Sequence, residues 1–99
     1  MSKGYWIVHL SVDDADAYQA YRQEVAAFLA TVGGRFLVRG GPQQVVEGQA
    51  RPRTVVIEFP SAQAAHECYA SDAYRRIKAM RESISAADLV IVEGWDATS

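Results

Sequence analysis

Three polar residues stand on segments that read as strands: His9 within Tyr5-Trp6-Ile7-Val8-His9-Leu10-Ser11-Val12, Arg39 closing Arg35-Phe36-Leu37-Val38-Arg39, and Glu58 within Arg53-Thr54-Val55-Val56-Ile57-Glu58-Phe59. On neighbouring strands of one sheet they would share a face. An imidazole, a guanidinium and a carboxylate in mutual reach supply an acid or base, an anion anchor and a charge partner, so His9, Arg39 and Glu58 are the candidate catalytic residues. The same trio reads equally as a polar network that fixes a subunit contact, with Arg39 paired to Glu58 and His9 hydrogen-bonded. A second set is aromatic. Trp6, Tyr18, Tyr21, Phe36, Phe59, Tyr69 and Tyr74, with His66, could line an apolar cavity whose tyrosine hydroxyls orient a polar ligand. Trp6, Tyr18, Phe36, His66 and Tyr69 are the candidate ligand-binding residues, although periodicity alone also accounts for the aromatics as core.

Other residue types point to less. Gly33-Gly34 and Gly40-Gly41 precede no helix and carry no Lys-Ser/Thr pair, so they read as turn and bulge glycines and not as a phosphate cradle. His9 and His66 are the only histidines, and no further ligand pair stands near Cys68 at structural-zinc spacing; no metal and no cofactor is expected. Asp13, Asp14 and Asp16 fit the start of a helix better than a calcium loop.

The elements that must position these groups follow from pattern. Strand one is stopped by Asp13-Asp14, and from Asp14 as N-cap the residues Tyr18, Tyr21, Val25, Phe28, Leu29 and Val32 recur at helical spacing until Gly33-Gly34. Arg35 to Arg39 alternates as a strand, Gly40-Gly41-Pro42 interrupts it, and Gln43 to Glu47 resumes an extended pattern. Arg53 to Phe59 is the most strand-like stretch and ends at Pro60. Ser61 caps a second helix through Ala64, Ala65, Cys68 and Tyr69, and Ser71-Asp72 marks a kink or split before Tyr74, Ile77 and Met80. Asp88 to Trp95 is the last strand, and Asp96 to Ser99 a polar tail.

This order, β-α-β-β-α-β, predicts one α+β domain over residues 1–99 with a ferredoxin-like fold, an antiparallel four-stranded sheet carrying both helices on one face. The other face must be polar or covered from outside. Alternation puts Tyr5, Ile7, Leu37 and Val56 there, and adds Leu89 and Ile91, too much apolar surface for a soluble monomer. The expected remedy is a homodimer through the sheet face, with one isologous interface. Size agrees: a 99-residue chain with 49% hydrophobic residues buries only about two-thirds of its unfolded surface and leaves apolar groups for another use.

Charge excludes several partners. Ten Lys and Arg against twelve Asp and Glu give a net charge of −2, and the basic residues between Arg51 and Arg81 are interrupted by Glu67, Asp72 and Glu82 without interleaved stacking aromatics, so nucleic acid is not an expected partner. A single cysteine, no secretory leader and no apolar run of about 20 residues predict a cytoplasmic protein that does not engage a membrane.

The chain resembles the domain-of-unknown-function family 1330 of the dimeric α+β barrel superfamily. The resemblance lies in Lys3-Gly4-Tyr5-Trp6, in Gly33 to Gly41, in Arg51-Pro52-Arg53 through Ser61, and in Asp88 to Gly94, and it covers nearly the whole chain. It implies a ferredoxin-like protomer paired through its sheets, as in small antibiotic-biosynthesis monooxygenases and muconolactone isomerases, and it implies no single reaction. The expected function is binding, or cofactor-free transformation, of a small organic molecule, aromatic or acidic. The alternative is a non-catalytic structural or stress-related dimerisation module.

Overall fold

A computed structural model describes residues 2–96 of the chain. Seven elements run in the order β1 (Gly4–Val12), α1 (Ala15–Thr31), β2 (Arg35–Arg39), β3 (Arg53–Phe59), α2 (Ala62–Ala70), α3 (Asp72–Glu82) and β4 (Ser85–Glu93). The strands form one antiparallel sheet in the order β2-β3-β1-β4. The helices cover one face of it, and the chain is a slab of 43 × 36 × 17 Å.

Local chemistry sets the element ends. Asp14 caps α1 by accepting from the Ala17 amide at 3.0 Å, and Ser61 caps α2 by accepting from Ala64. Two helices were expected, and three are present. Ser71 sits in extended conformation (φ −68, ψ 149) between α2 and α3; its hydroxyl donates to the Cys68 carbonyl at 2.7 Å and accepts from the Tyr74 amide at 3.1 Å. One side chain thus closes one helix and opens the next, which completes the split that the sequence pattern suggested.

The core is the inward phase of β1 and β3 against the apolar stripe of α1. Trp6, Val8, Leu10, Val55, Ile57 and Phe59 are buried with Tyr18, Tyr21, Val25, Leu29, Ala65, Cys68 and Tyr74. Trp6 is its hub: the ring centroid lies 5.0 Å from Phe59, 4.9 Å from Tyr74 and 5.8 Å from Tyr69, and Nε1 donates to the Ala65 carbonyl at 3.0 Å. Such aromatic pairs add about 0.5–1.5 kcal/mol each beyond their buried area.

Three expectations are corrected. The bulge in β2 falls inside the strand, between Phe36 and Val38, while Gly40, in a bend at φ +72, ends the strand where an interruption was expected. Gln43 to Glu47 forms no strand; the segment is exposed and is held by its first residue, since the Thr54 hydroxyl donates to Gln43 Oε1 and Gln43 Nε2 donates to the Arg51 carbonyl. Strand β4 begins at Ser85, and its register pairs Leu89 with Val8 and Ile91 with Trp6, so both face the helices while Val90 and Val92 face outward. Of the polar tail, the part after Asp96 lies outside the described residues.

Candidate functional site

The sheet is ordered in transverse rows. On the face away from the helices, Val38, Val56, Ile7 and Val90 form an apolar row across all four strands. A polar row flanks it on either side. In one, the Tyr5 hydroxyl donates to Glu58 Oε2 at 3.0 Å and Arg35 Nε lies 3.6 Å from Glu58 Oε1. That hydrogen bond, followed by desolvation, raises the Tyr5 phenol above its ordinary range. In the other, His9 Nδ1 lies 3.0 Å from Thr54 Oγ1. Because the Thr54 hydroxyl spends its only proton on Gln43, it must accept from His9, which puts the imidazole proton on Nδ1. Arg51 closes this row by donating to Asp88 Oδ2 at 2.9 Å.

His9 and Glu58 do share this face, but four residues of strand separate their positions in the register, about 13 Å at a rise of ~3.3 Å per residue. Arg39 is not with them. The bulge at Leu37 shifts the phase of β2, so Arg39 pairs with Val55 and joins Phe36 on the helix side. There its guanidinium carbon stands 4.4 Å over the Phe36 ring, and Nη2 donates to the Arg22 carbonyl on α1 at 3.1 Å. The expected convergence of His9, Arg39 and Glu58 is therefore not formed within one chain. An extra residue in one strand sends one member through the sheet.

Beneath α1 lies a different constellation. A cavity of about 30 Å³ is walled by Trp6, Val8, Leu10, Tyr18, Tyr21, Val25, Phe36, Val55, Ile57, Tyr74 and Leu89, and by four arginines, Arg22, Arg39, Arg53 and Arg81. Space of that size holds about two waters or one small polar head group. Arg81 is only 6% exposed, yet no carboxylate pairs with it among the described residues. Its nearest polar partner is the Tyr74 hydroxyl at 3.4 Å, which in turn lies 3.0 Å from the Tyr21 hydroxyl. Burial, then the proximity of Tyr74, pushes the Tyr21 phenol far up, so it serves as a neutral hydrogen-bonding group and not as a base near pH 7.

Arg22 and Arg53 are more telling. The Nε of each is buried without a hydrogen-bond partner, an arrangement that costs about 1–3 kcal/mol per group in a folded chain. Arg53 stacks 5.4 Å from the Tyr18 ring centroid, and its guanidinium lies directly against Gly40 (φ +72), where any Cβ would overlap it. These two arginines also line an adjoining groove of about 330 Å³, with Leu10, Val12, Ala15, Tyr18, Gln19 and Pro52.

Of the sequence-based ligand candidates, the structure places Trp6, Tyr18 and Phe36 in the cavity wall. Tyr69 stands outside it; its ring packs on Trp6 and Tyr74, and its hydroxyl accepts from Lys78 at 3.1 Å. His66 is exposed on α2 and lines neither the cavity nor the adjoining groove. Sequence reasoning did not single out Arg22, Arg53 or Arg81 as site residues, although a signal was present. Arg53 is two residues before Val55, Arg22 is three before Val25, and Arg81 is four after Ile77, each in phase with apolar positions of its own element. Among the described residues, no group of three His, Cys, Asp or Glu side chains is placed to hold a metal ion, and no helix is long and apolar enough to cross a membrane.

The family model described as a domain of unknown function (DUF1330) matches residues 3–95. The chain belongs to the DUF1330 family. No curated protein matches it. Among solved structures, this DUF1330 chain is similar to a protein of unknown function from Rhodopseudomonas palustris, with a TM-score of 0.76 at 16% identity over 96% of this chain and 84% of that one. It is similar to a dimeric ferredoxin-like protein of unknown function from Jannaschia sp. CCS1 (TM-score 0.62, 16% identity, 91% and 97% covered). It also resembles SnoaB, a cofactor-independent oxygenase from Streptomyces nogalater (TM-score 0.65, 14% identity, 98% and 97% covered). At these identities the likeness establishes the ferredoxin-like α+β fold.

Proposed function

We propose that this DUF1330 protein is a homodimer, paired through its open sheet face, that binds a small organic molecule, aromatic or acidic, where the helices meet the sheet. One observation carries the ligand reading: Arg22, Arg53 and Arg81 border a single aromatic-walled cavity without a carboxylate among its lining residues. Protein interiors accept unpaired cations only at a cost, and a site that carries several of them is organised for something the chain does not itself contain. The lining offers hydrogen bonds and charge but no imidazole, thiol or carboxylate, so binding and orientation are what its own groups can perform. The expected cytoplasmic setting and absence of a cofactor belong to this same reading.

The dimer reading rests on the apolar row Val38-Val56-Ile7-Val90 and on the exposure of Leu37, Val38, Val90 and Val92 along one face. The dimeric description of the Jannaschia protein supports it. A second reading, a non-catalytic dimerisation module, is favoured by the small volume of the void, about 30 Å³, which leaves the aromatics as a nearly filled core. His9, Glu58 and Arg51 would then serve only to specify how two sheets meet.

A thermal-shift screen of aromatic acids and lactones separates the two. Stabilisation by some member, lost in Arg53→Gln, is the expected result; a flat response to every compound leaves the dimerisation module. The catalytic role for His9 has its own test. If His9→Ala preserves any turnover that is found while weakening dimerisation, the imidazole belongs to the interface.

A further inference from the structure

We propose that the Arg22–Arg53 wall is an oxyanion receptor for a small organic acid, whose carboxylate seats against the two guanidinium edges while its carbon skeleton lies in the groove beside them. The inference rests on reading this region as a small-molecule site and narrows it to one ligand class.

Charge gives the first support. The chain as a whole has a formal charge of −2, yet four of its cations surround one cavity, and no acidic residue lines either the cavity or the adjoining groove. The depression on the far side of Arg81, between α3 and β4, does contain Glu82 as well as Lys78, so the unbalanced positive charge is concentrated on the α1 side. Hydrogen bonding gives the second. Arg22 spends Nη1 on Gln19 at 3.2 Å and Arg53 makes no side-chain hydrogen bond among the described residues; the Nε of each is fully enclosed, so a ligand meets the Nη groups. A planar carboxylate satisfies such guanidinium donors two at a time, which is the geometry these side chains prefer.

The surroundings hold Arg53 ready. Its guanidinium is sandwiched between the Tyr18 ring and the backbone of Gly40, a position open to it because glycine carries no Cβ. Fixing the donor before the ligand arrives lowers the ordering cost of binding. The ligand's size follows from the volumes. About 30 Å³ of space admits a head group and no ring, so the body must occupy the groove of about 330 Å³, against Leu10, Val12, Ala15 and Pro52. That apolar floor selects an organic acid over a free inorganic anion.

The test is isothermal titration of the full chain, and of Arg53→Gln and Arg22→Gln, with benzoate, butyrate, benzamide and inorganic phosphate. The expected result is binding of a carboxylate at least about tenfold tighter than benzamide or phosphate, with a loss of about tenfold or more in either variant. The ligand-free melting temperature of Arg53→Gln should equal or exceed that of the parent, because an unpaired cation is removed. Equal binding of benzoate and benzamide overturns the oxyanion receptor and leaves the small-molecule site standing. Phosphate binding as tightly as benzoate overturns the organic ligand. Binding of none of the four overturns both readings, and unchanged carboxylate affinity in both variants removes the arginines from the site.

Discussion

The hydroxyl of Tyr21 on α1 lies 3.0 Å from the hydroxyl of Tyr74 on α3, and the pair is buried beneath the two helices. Tyr74 is the more consequential member, since Arg81 Nη2 also reaches its oxygen at 3.4 Å. Removing it strands a guanidinium that has no carboxylate partner. Urea unfolding of Tyr74→Phe should show a loss of about 2–3 kcal/mol, against about 1 kcal/mol for Tyr21→Phe. The double variant should cost less than the sum, because both substitutions break the same contact. Strict additivity would mean that the two hydroxyls do not interact.

Gly4 opens β1 directly beneath the start of α2. A Cβ at this position would overlap the Ser61 carbonyl and lie 2.5 Å from the Ala62 Cα, and both obstacles are backbone. No rotamer change relieves that contact. Gly4→Ala should therefore destabilise by about 3 kcal/mol or more, well beyond an ordinary surface change. A melting temperature within a degree or two of the parent would show that α2 can shift on the sheet.

Cys68 is buried against the core, and burial pushes its thiol from an ordinary 9.0 to about 11. Below pH 9 both folded and unfolded chains keep the proton, and the contribution to stability is fully present. Between about 9 and 11 the unfolded chain releases it while the folded chain does not, so stability falls as pH rises through the folded value. Comparison of urea unfolding at pH 8 and pH 11 should show a pH-dependent loss larger in the parent than in Cys68→Ala by about 2 kcal/mol. The same burial predicts that a thiol reagent at pH 8 modifies Cys68 only at the rate of unfolding.

Val90 lies at one end of the apolar row on the open face and is 58% exposed in the single chain. A lysine there costs the isolated fold little, but it buries an unpaired charge in a sheet-to-sheet pair. Light scattering should find the parent as a dimer at micromolar concentration and Val90→Lys as a folded monomer, with a melting temperature that depends on protein concentration only in the parent. A monomeric parent would refute the pairing outright.

His66 is exposed on α2 and makes no polar contact to the cavity. His66→Ala should leave stability within about 0.5 kcal/mol of the parent and ligand response unchanged. A lost response to the aromatic acids in that variant would place the binding surface on α2 and away from α1.

Much of this architecture is legible in local pattern. The caps at Asp14, Ser61 and Ser71, the helical stripe from Tyr18 to Leu29 and the alternation of Trp6, Val8 and Leu10 against Ile7 and His9 depend on residues within one or two turns of each other. Short-range hydrogen bonds and side-chain direction decide them, so a single chain of letters suffices. Which face each strand presents is another matter. Alternation defines two faces in each strand, but only pairing with a neighbour says which is inward; β4 was out of phase by one residue, and the bulge at Leu37 reversed the remainder of β2. That reversal separated Arg39 from His9 and Glu58 and delivered it to the cavity.

The sequence by itself determined an α+β fold of four strands with helices on one side, because burial of one face per element is enforced at every second strand position and every third or fourth helix position. Tertiary structure alone decided the site. Arg22, Arg53 and Arg81 come from α1, β3 and α3, and an arginine in sequence reads as solvated until packing shows that Arg81 is buried, that the Nε of Arg22 and Arg53 is enclosed, and that no carboxylate lines the cavity they share.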